Sequence, residues 1–259
     1  MNSQTKQIDD FLVIQNHPLS STCSLLILEP YTPSLLRQVH AGQFVEVKIP
    51  SNGTFLRRPI SICNIDEKGN LWLLVRDAGS GTHSLIHLKN GDTLNLIYPL
   101  GNGFNVTGNF SEPLLIGGGV GVAPLLYLGK KLKALGKSPV FLLGGRKASD
   151  LLLRDEFEKI GATYVSTEDG SAGQKGLVTE HIALDETFDK IFCCGPLPMM
   201  KAVARIADER AIDCEVSLEN VMGCGLGACL CCVEKTTKGN VCVCSDGPVF
   251  NIKELLWQN

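Results

Sequence analysis

The chain has 259 residues, 44% of them hydrophobic and 20% charged, with a formal net charge of −3; that is the make-up of an ordinary soluble protein, long enough for two compact domains and a small appendage. It contains no block of Lys and Arg, which excludes a nucleic-acid or membrane-surface role while leaving small anionic ligands open. No apolar stretch approaches the roughly 18 residues needed to span a bilayer, and Met1 to Asp10 is polar and lacks the apolar core of a signal peptide, so the expected location is the cytoplasm.

From Phe11 to about Tyr98 the chain offers short alternating runs rich in β-branched residues, such as Phe44 to Ile49 and Leu71 to Arg76. Turn-forming pairs separate them, among them Asn52-Gly53, Lys68-Gly69 and Asn90-Gly91. This pattern predicts an antiparallel barrel. After Gly101-Asn102-Gly103 the texture changes. Pro113 to Ile116 reads as a buried strand that meets glycines, followed by a helix with Leu125, Leu128, Leu132 and Leu135 on one face and Gly136 at its end. Strands at Val140 to Leu143, Thr163 to Ser166 and Lys190 to Cys194 alternate with helical segments starting near Ser149 and Pro198, which predicts a doubly wound parallel sheet. Beyond about Asp213 the periodicity is lost. Cysteines and glycines take over as far as a short tail, Ile252 to Trp257, expected to pack back as a strand or a helix.

The eleven cysteines need a chemical reason, because cytosolic thiols rarely form structural disulfides. Cys23, Cys63, Cys193, Cys194 and Cys214 are scattered, whereas Cys224, Cys229, Cys231, Cys232, Cys242 and Cys244 crowd into one segment. Cys224-x4-Cys229-x2-Cys232, with Cys244 after eleven intervening residues, follows the plant-type spacing for a [2Fe–2S] cluster. Gly223, Gly225 and Gly227 suit a loop that must approach sulfurs closely with its N–H groups. The competing metal reading is a tetrathiolate zinc site, which usually pairs its ligands as two short C-x2-C knuckles. Cys231 and Cys242 are surplus, and either can stand in for a neighbour as ligand.

Two further signals precede the cysteines. Leu56 to Ile62 places Arg58, Pro59, Ile60 and Ser61 at a strand edge of the predicted barrel, where an Arg can clamp a phosphate and Ser and backbone groups can contact a flavin ring. Gly79 to Ser84 supplies glycines and hydroxyls ahead of a helix, a suitable cradle for pyrophosphate. Either is also compatible with a surface turn, and Tyr98 to Phe104 with a plain interdomain corner. In the middle region, Gly117 to Pro124 joins the first strand to the first helix, where bare backbone can receive a nicotinamide nucleotide's pyrophosphate. Pro124 stands where a strict G-x-G-x-x-G would carry its third glycine. Cys193 to Met199 follows a strand at the sheet's carboxyl edge; Cys194 either lines the nicotinamide pocket or is a small buried residue.

With these three sites in order, the chain resembles the ferredoxin-reductase superfamily over nearly its whole length, and within it the electron-transfer subunits of type B dihydroorotate dehydrogenase. The likeness is carried by Arg58 to Ser61, Gly117 to Pro124, Cys194 to Pro196, Met222 to Cys229 and Cys244 to Phe250. It implies an α+β multidomain protein: an antiparallel β-barrel flavin domain (residues 1–105), a doubly wound parallel α/β nucleotide domain (106–212) and a small C-terminal [2Fe–2S] segment (213–259). It implies that Arg58, Pro59, Ile60, Ser61, Val75, Arg76, Asp77, Gly81 and Thr82 bind FAD. Gly117, Gly119, Gly121, Pro124, Cys194, Gly195 and Pro196 are implied to receive NAD, and Cys224, Cys229, Cys232 and Cys244 to hold the cluster. Cys231 within the loop and a short spacing to Cys244 depart from the family pattern.

Electron accounting agrees with that resemblance. NAD takes two electrons as hydride and a [2Fe–2S] cluster carries one, so a flavin able to do both stands between them. The resemblance implies a route from a dihydroorotate-oxidising partner through the cluster and FAD to NAD, in pyrimidine biosynthesis. The chain has no room for the (β/α)8 barrel of roughly 250 residues that forms orotate in this family. An FMN-containing barrel subunit is therefore expected as partner, in a heterotetramer. Two other functions compete: an NAD(P)H–ferredoxin or sulfur-compound reductase subunit of the same superfamily, and a non-catalytic redox sensor suggested by the extra thiols. Gly144-Gly145-Arg146-Lys147 leaves NAD against NADP open, since its two positive charges can accept a 2′-phosphate.

Overall fold

The computed structural model describes residues 5–32, 36, 38–50 and 53–257. The chain gathers into two compact units, the first formed by Met1–Gly103, Glu219–Glu234 and Cys242–Pro248, the second by Phe104–Leu218, Lys235–Val241 and Val249–Asn259.

In the first unit β1 (Gln7–Pro18), β2 (Cys23–Pro30), β3 (Phe44–Val47), β4 (Arg58–Ile65), β5 (Leu71–Arg76) and β6 (Thr93–Leu100) close into a barrel. Their order is β1-β2-β5-β4-β3-β6 and every pair is antiparallel. Period-2 alternation sends Phe11, Val13, Leu26, Leu28, Val45, Val47, Leu71, Leu73 and Tyr98 into the core, each fully excluded from solvent. Phe11 and Tyr98 meet edge to face at 5.2 Å. The chain reverses at Gly69 and Gly91, whose φ angles of +86° and +95° suit glycine. Gly53 is likewise at +103°, while Asn52 lies outside the described residues. A short helix, α1 (Ser80–Ile86), follows β5.

In the second unit a seven-stranded sheet uses β7 (Pro113–Gly118), β8 (Val140–Gly145), β9 (Thr163–Thr167), β10 (Gln174–Lys175), β11 (Lys190–Cys194) and β12 (Asp213–Ser217), together with Val249–Asn251. The chain steps outward from β7 through β8 and β9 to β10, then returns on the far side of β7 with β11 and β12. That reversal leaves a crevice at the carboxyl ends of β7 and β11, where open α/β sheets bind ligands. The crossovers include α2 (Ala123–Ala134), α3 (Arg154–Glu158) and α4 (Leu197–Glu209). Gly136 at φ +77° ends the turn after α2. The segment expected to turn helical near Ser149 makes a single 3₁₀ turn at Ala148–Asp150 before α3.

The sheet extends past residue 212, where the sequence reading loses periodicity. β12 is a parallel neighbour of β11, and β15 (Val249–Asn251) pairs antiparallel with β12. Between them lies a two-stranded ribbon, β13 (Val233–Thr236) and β14 (Gly239–Cys242). The tail forms a 3₁₀ turn at Ile252–Glu254. Asp213-Cys214-Glu215 was hard to read as a strand because two of its three residues are acidic. The reason is an ion cluster around the buried Lys190: its Nζ lies 2.9 Å from the buried Glu215 and 3.1 Å from the half-exposed Asp213, and the other Glu215 oxygen accepts the Asn105 N–H at 2.9 Å. Lys190→Met should cost about 3–5 kcal/mol by leaving Glu215 buried without its cation, read as a lower urea midpoint for the transition of this unit. No helix among the described residues is long and apolar enough to cross a membrane.

Candidate functional site

In the barrel unit the two adjacent arginines divide their work. Arg57 donates to the carbonyls of Glu46 and Asn95 and to Asn95 Oδ1, stapling β3 to β6. Arg58 instead reaches α1: a Cβ on Gly81 would sit 3.0 Å from Arg58 Nε, so the guanidinium lies close against the helix's first turn. Arg58 Nη1 is anchored on the Leu56 and Arg57 carbonyls. Thr82 Oγ1 accepts the Ala78 N–H at 2.8 Å and donates to the Gly79 carbonyl, which shapes the turn after β5. Asp77 is 2.8 Å from His83 Nδ1, and that hydrogen bond holds its carboxyl below the usual range. Pro59, Ile60 and Ser61 are half-buried on β4, Arg76 is exposed, and the Val75 side chain belongs to the core. The structure thus brings Arg58 to Gly81, a cationic fork beside bare backbone, which is donor chemistry suited to a dinucleotide phosphate.

The cluster segment folds onto the same barrel. Gly225 and Gly227 have φ of +67° and +82°, so the loop turns its N–H groups toward sulfur. Leu226 N–H donates to Cys224 Sγ at 3.3 Å, Gly227 N–H to Cys244 Sγ at 3.1 Å, and Cys244 N–H to Cys232 Sγ at 3.4 Å. Cys224 lies beside Cys229, and Cys244 beside Cys232. The four expected thiols are therefore gathered as two pairs, as a two-iron cluster with two thiolates per iron requires. Among the described residues no three His, Cys, Asp or Glu side chains converge as a single ion would need. The Leu226 N–H lowers the Cys224 thiol to about 6, whereas burial pushes Cys244 up to about 12.

Three residues that frame this loop escaped the sequence reading. Glu46 on β3 is 1% exposed, neither carboxyl oxygen has a hydrogen-bond partner, and burial pushes it up to about 7. It lies under Gly225, where a Cβ would meet Glu46 Cγ at 2.6 Å. Its place between Val45 and Val47 carries no local signal of that neighbour. Asn102, expected only at a corner, donates from Nδ2 to the Ser245 and Asp246 carbonyls and from its backbone to the Gly247 carbonyl at 2.6 Å. Asp246 accepts the Cys242 N–H at 2.8 Å and closes the turn that carries Cys244. The Asp246-Gly247-Pro248 run was the available signal for it.

In the second unit the two expected nucleotide segments meet at the crevice. A Cβ on Gly121 would lie 2.6 Å from the Cys194 carbonyl oxygen and from Gly195 Cα, and one on Gly118 would lie 2.7 Å from Met199 Sδ. Gly119 has φ +55° with open space beyond it, Pro124 sits in the first turn of α2, and Pro196 precedes α4. Gly117 closes β7 against Val122. Cys194 is 1% exposed, and its carbonyl lies against Gly121. Two bare-backbone turns and a helix start give the cradle expected for a pyrophosphate.

Residues 219–256 match the family model described as the iron–sulfur cluster binding domain of dihydroorotate dehydrogenase B, and residues 115–205 match the oxidoreductase NAD-binding domain. A dihydroorotate dehydrogenase B (NAD(+)), electron transfer subunit, from Bacillus cereus (strain Q1) is 38% identical over 96% of this chain and 99% of its own. The Clostridium perfringens protein of the same description is 40% identical over 83% and 86%. Among solved structures, an NADH-dependent reduced ferredoxin–NADP oxidoreductase superposes with a TM-score of 0.85 at 31% identity, over 95% of this chain and 90% of that one. Such identity, sustained from end to end, makes the chain a member of the family of electron transfer subunits of NAD(+)-linked dihydroorotate dehydrogenase B.

Proposed function

We propose that this chain passes electrons from a dihydroorotate-oxidising partner subunit to NAD in pyrimidine biosynthesis. The observation that carries the reading is the seating of a four-thiol loop on the barrel that also presents Arg58, with Gly225 against Glu46. FAD, a [2Fe–2S] cluster and NAD supply the exchange between one-electron and hydride chemistry. In this reading Arg58, Ser61, Gly81 and Thr82, with Pro59, Ile60, Arg76, Asp77 and the Val75 backbone, hold and orient FAD. Gly117, Gly119, Gly121 and Pro124, with the Cys194 to Pro196 turn, receive NAD, and Cys224, Cys229, Cys232 and Cys244 ligate the cluster. The flavin barrel, nucleotide domain and cluster segment divide the labour, with β12 and β15 belonging to the nucleotide sheet.

The partner is an FMN-containing barrel protein, joined in a heterotetramer, and the location is the cytoplasm. A second reading, reduction or oxidation of ferredoxin, is favoured by the end-to-end likeness to the ferredoxin–NADP oxidoreductase. Anaerobic purification with the candidate partner separates the two. One FAD and two irons per chain, with NAD reduced by dihydroorotate only when both proteins are present, supports the first reading. Cofactors without that coupling, and turnover with ferredoxin instead, support the second.

A further inference from the structure

The cluster segment holds two cysteines beyond the four-thiol set, and the structure treats them differently. Cys231 is exposed and lies on the Cys229 side of the loop, near Gly223. Cys242 is buried at the end of β14, with 9% of its surface accessible. The residues that follow it are locked onto Cys232: Val243 N–H donates to the Cys232 carbonyl at 3.0 Å and Cys244 N–H to Cys232 Sγ. Cys242 therefore sits one residue from the backbone contact with Cys232, which has two cysteine neighbours in that turn, Cys242 and Cys244.

Both neighbours belong to one tight turn. Ser245 and Asp246 N–H groups donate to the Cys242 carbonyl, Gly247 N–H donates to the Val243 carbonyl, and the Asp246 carboxylate caps the Cys242 N–H. Asn102 pins the far end of that turn to the barrel. Cys242 and Cys244 are thus held beside Cys232 by the same few hydrogen bonds. Trading one for the other calls for side-chain rotation within the turn, with no rearrangement of the barrel or the Gly225 loop. Both cysteines are buried.

We propose that Cys242 is a reserve ligand of the iron–sulfur cluster, replacing Cys244 at the iron it shares with Cys232. The proposal rests on the cluster assignment made above. In the exchange the iron–Cys244 bond breaks and that thiolate takes up a proton. Cys242 gives up its proton and forms the new iron–sulfur bond, so charge, protons and iron oxidation state balance. A thiol already within the site also acts at a high effective concentration, which favours recapture over loss of iron.

The test uses the full chain, purified and reconstituted anaerobically, with iron, sulfide and FAD counted and the reduced protein examined by EPR. Cys244→Ser should keep about half or more of the wild-type iron with altered g values, and Cys244→Ser/Cys242→Ser should fall on the order of tenfold lower. Cys244→Ser/Cys231→Ser should match Cys244→Ser. FAD at the wild-type level in each variant certifies a folded barrel. An iron-free Cys244→Ser with normal FAD, or a double variant that keeps as much iron as the single one, overturns the proposal. If Cys244→Ser fails to fold, Cys242→Ser decides: with the four-thiol set intact it should lose iron to a ferrous chelator several-fold faster than wild type, and equal rates overturn the reserve role. Cys242→Ser that never takes up iron makes Cys242 a primary ligand and overturns the proposal too. Wild-type protein without iron or sulfide overturns the cluster assignment itself, and the proposal with it.

Discussion

Cys232→Ala is expected to yield a yellow protein that retains FAD, carries almost no iron, and no longer couples dihydroorotate oxidation to NAD reduction when combined with the partner subunit. Cys232 is 2% exposed and is where the loop and the Cys242–Gly247 turn are tied together, through the Cys244 N–H on its sulfur and the Val243 N–H on its carbonyl. Alanine keeps the second bond and removes the first, along with the thiol itself. With that tie gone the turn no longer holds Cys242 and Cys244 in place, and a loss of metal affinity of 100-fold or more, about 2.7 kcal/mol, is the reasonable scale. The Arg58 to Gly81 contact and the glycine crevice share no atom with Cys232. Transfer from NADH to a soluble dye, which uses only those, should persist within about twofold. Iron and sulfide analysis beside the two rate assays checks all three parts. A variant that lost dye reduction as well would show that the barrel depends on the cluster for its fold.

The second large effect is expected from Gly121→Ala. The added Cβ would stand 2.6 Å from the Cys194 oxygen and from Gly195 Cα, backbone atoms of a strand end that has little freedom to retreat. One of the two nucleotide segments has to move away from the other, and a pyrophosphate cradle is sensitive to displacements of that size. The KM for NAD should rise about tenfold or more, roughly 1.4 kcal/mol, with iron and flavin content unchanged. Gly119→Ala is the informative companion. It places its Cβ in open space and suffers only the cost of φ +55°, about 1 kcal/mol of local stability. Similar KM values for the two variants would mean that crowding at Cys194 is not what shapes the cradle.

What the sequence made legible follows from how local each signal is. The barrel strands, the strand–glycine–helix turn at Gly117 and the Cys224 to Cys244 spacing are short-range patterns fixed by period, backbone freedom and sulfur chemistry, and each reappears in the structure at the residues expected. β12 was hidden because Asp213 and Glu215 mask a buried strand, and their partner, Lys190, is distant in sequence. Glu46 and Asn102 were hidden for the same reason. Their polar groups have meaning only once Gly225 or the Ser245 turn is placed beside them. The separate fates of Arg57 and Arg58 also depend on long-range partners, Asn95 for one and Gly81 for the other.

The pairing of β15 with β12 bears on how such a chain is made. Glu215, Val216 and Ser217 are matched with Asn251, Phe250 and Val249, so the thiol-bearing stretch is an excursion whose two ends are fastened to each other at a sheet edge. On a ribosome every cysteine emerges before the strand that fastens the excursion. A nascent chain paused there has all six clustered thiols exposed on a tether held at one end only. Once β15 docks, the entropy of closing that loop is already met, and iron then orders a segment that is tied at both ends. A nick inside the excursion would likewise leave two fragments that stay joined through the sheet, whereas removing the last eleven residues would release the loop and bare the edge of β12.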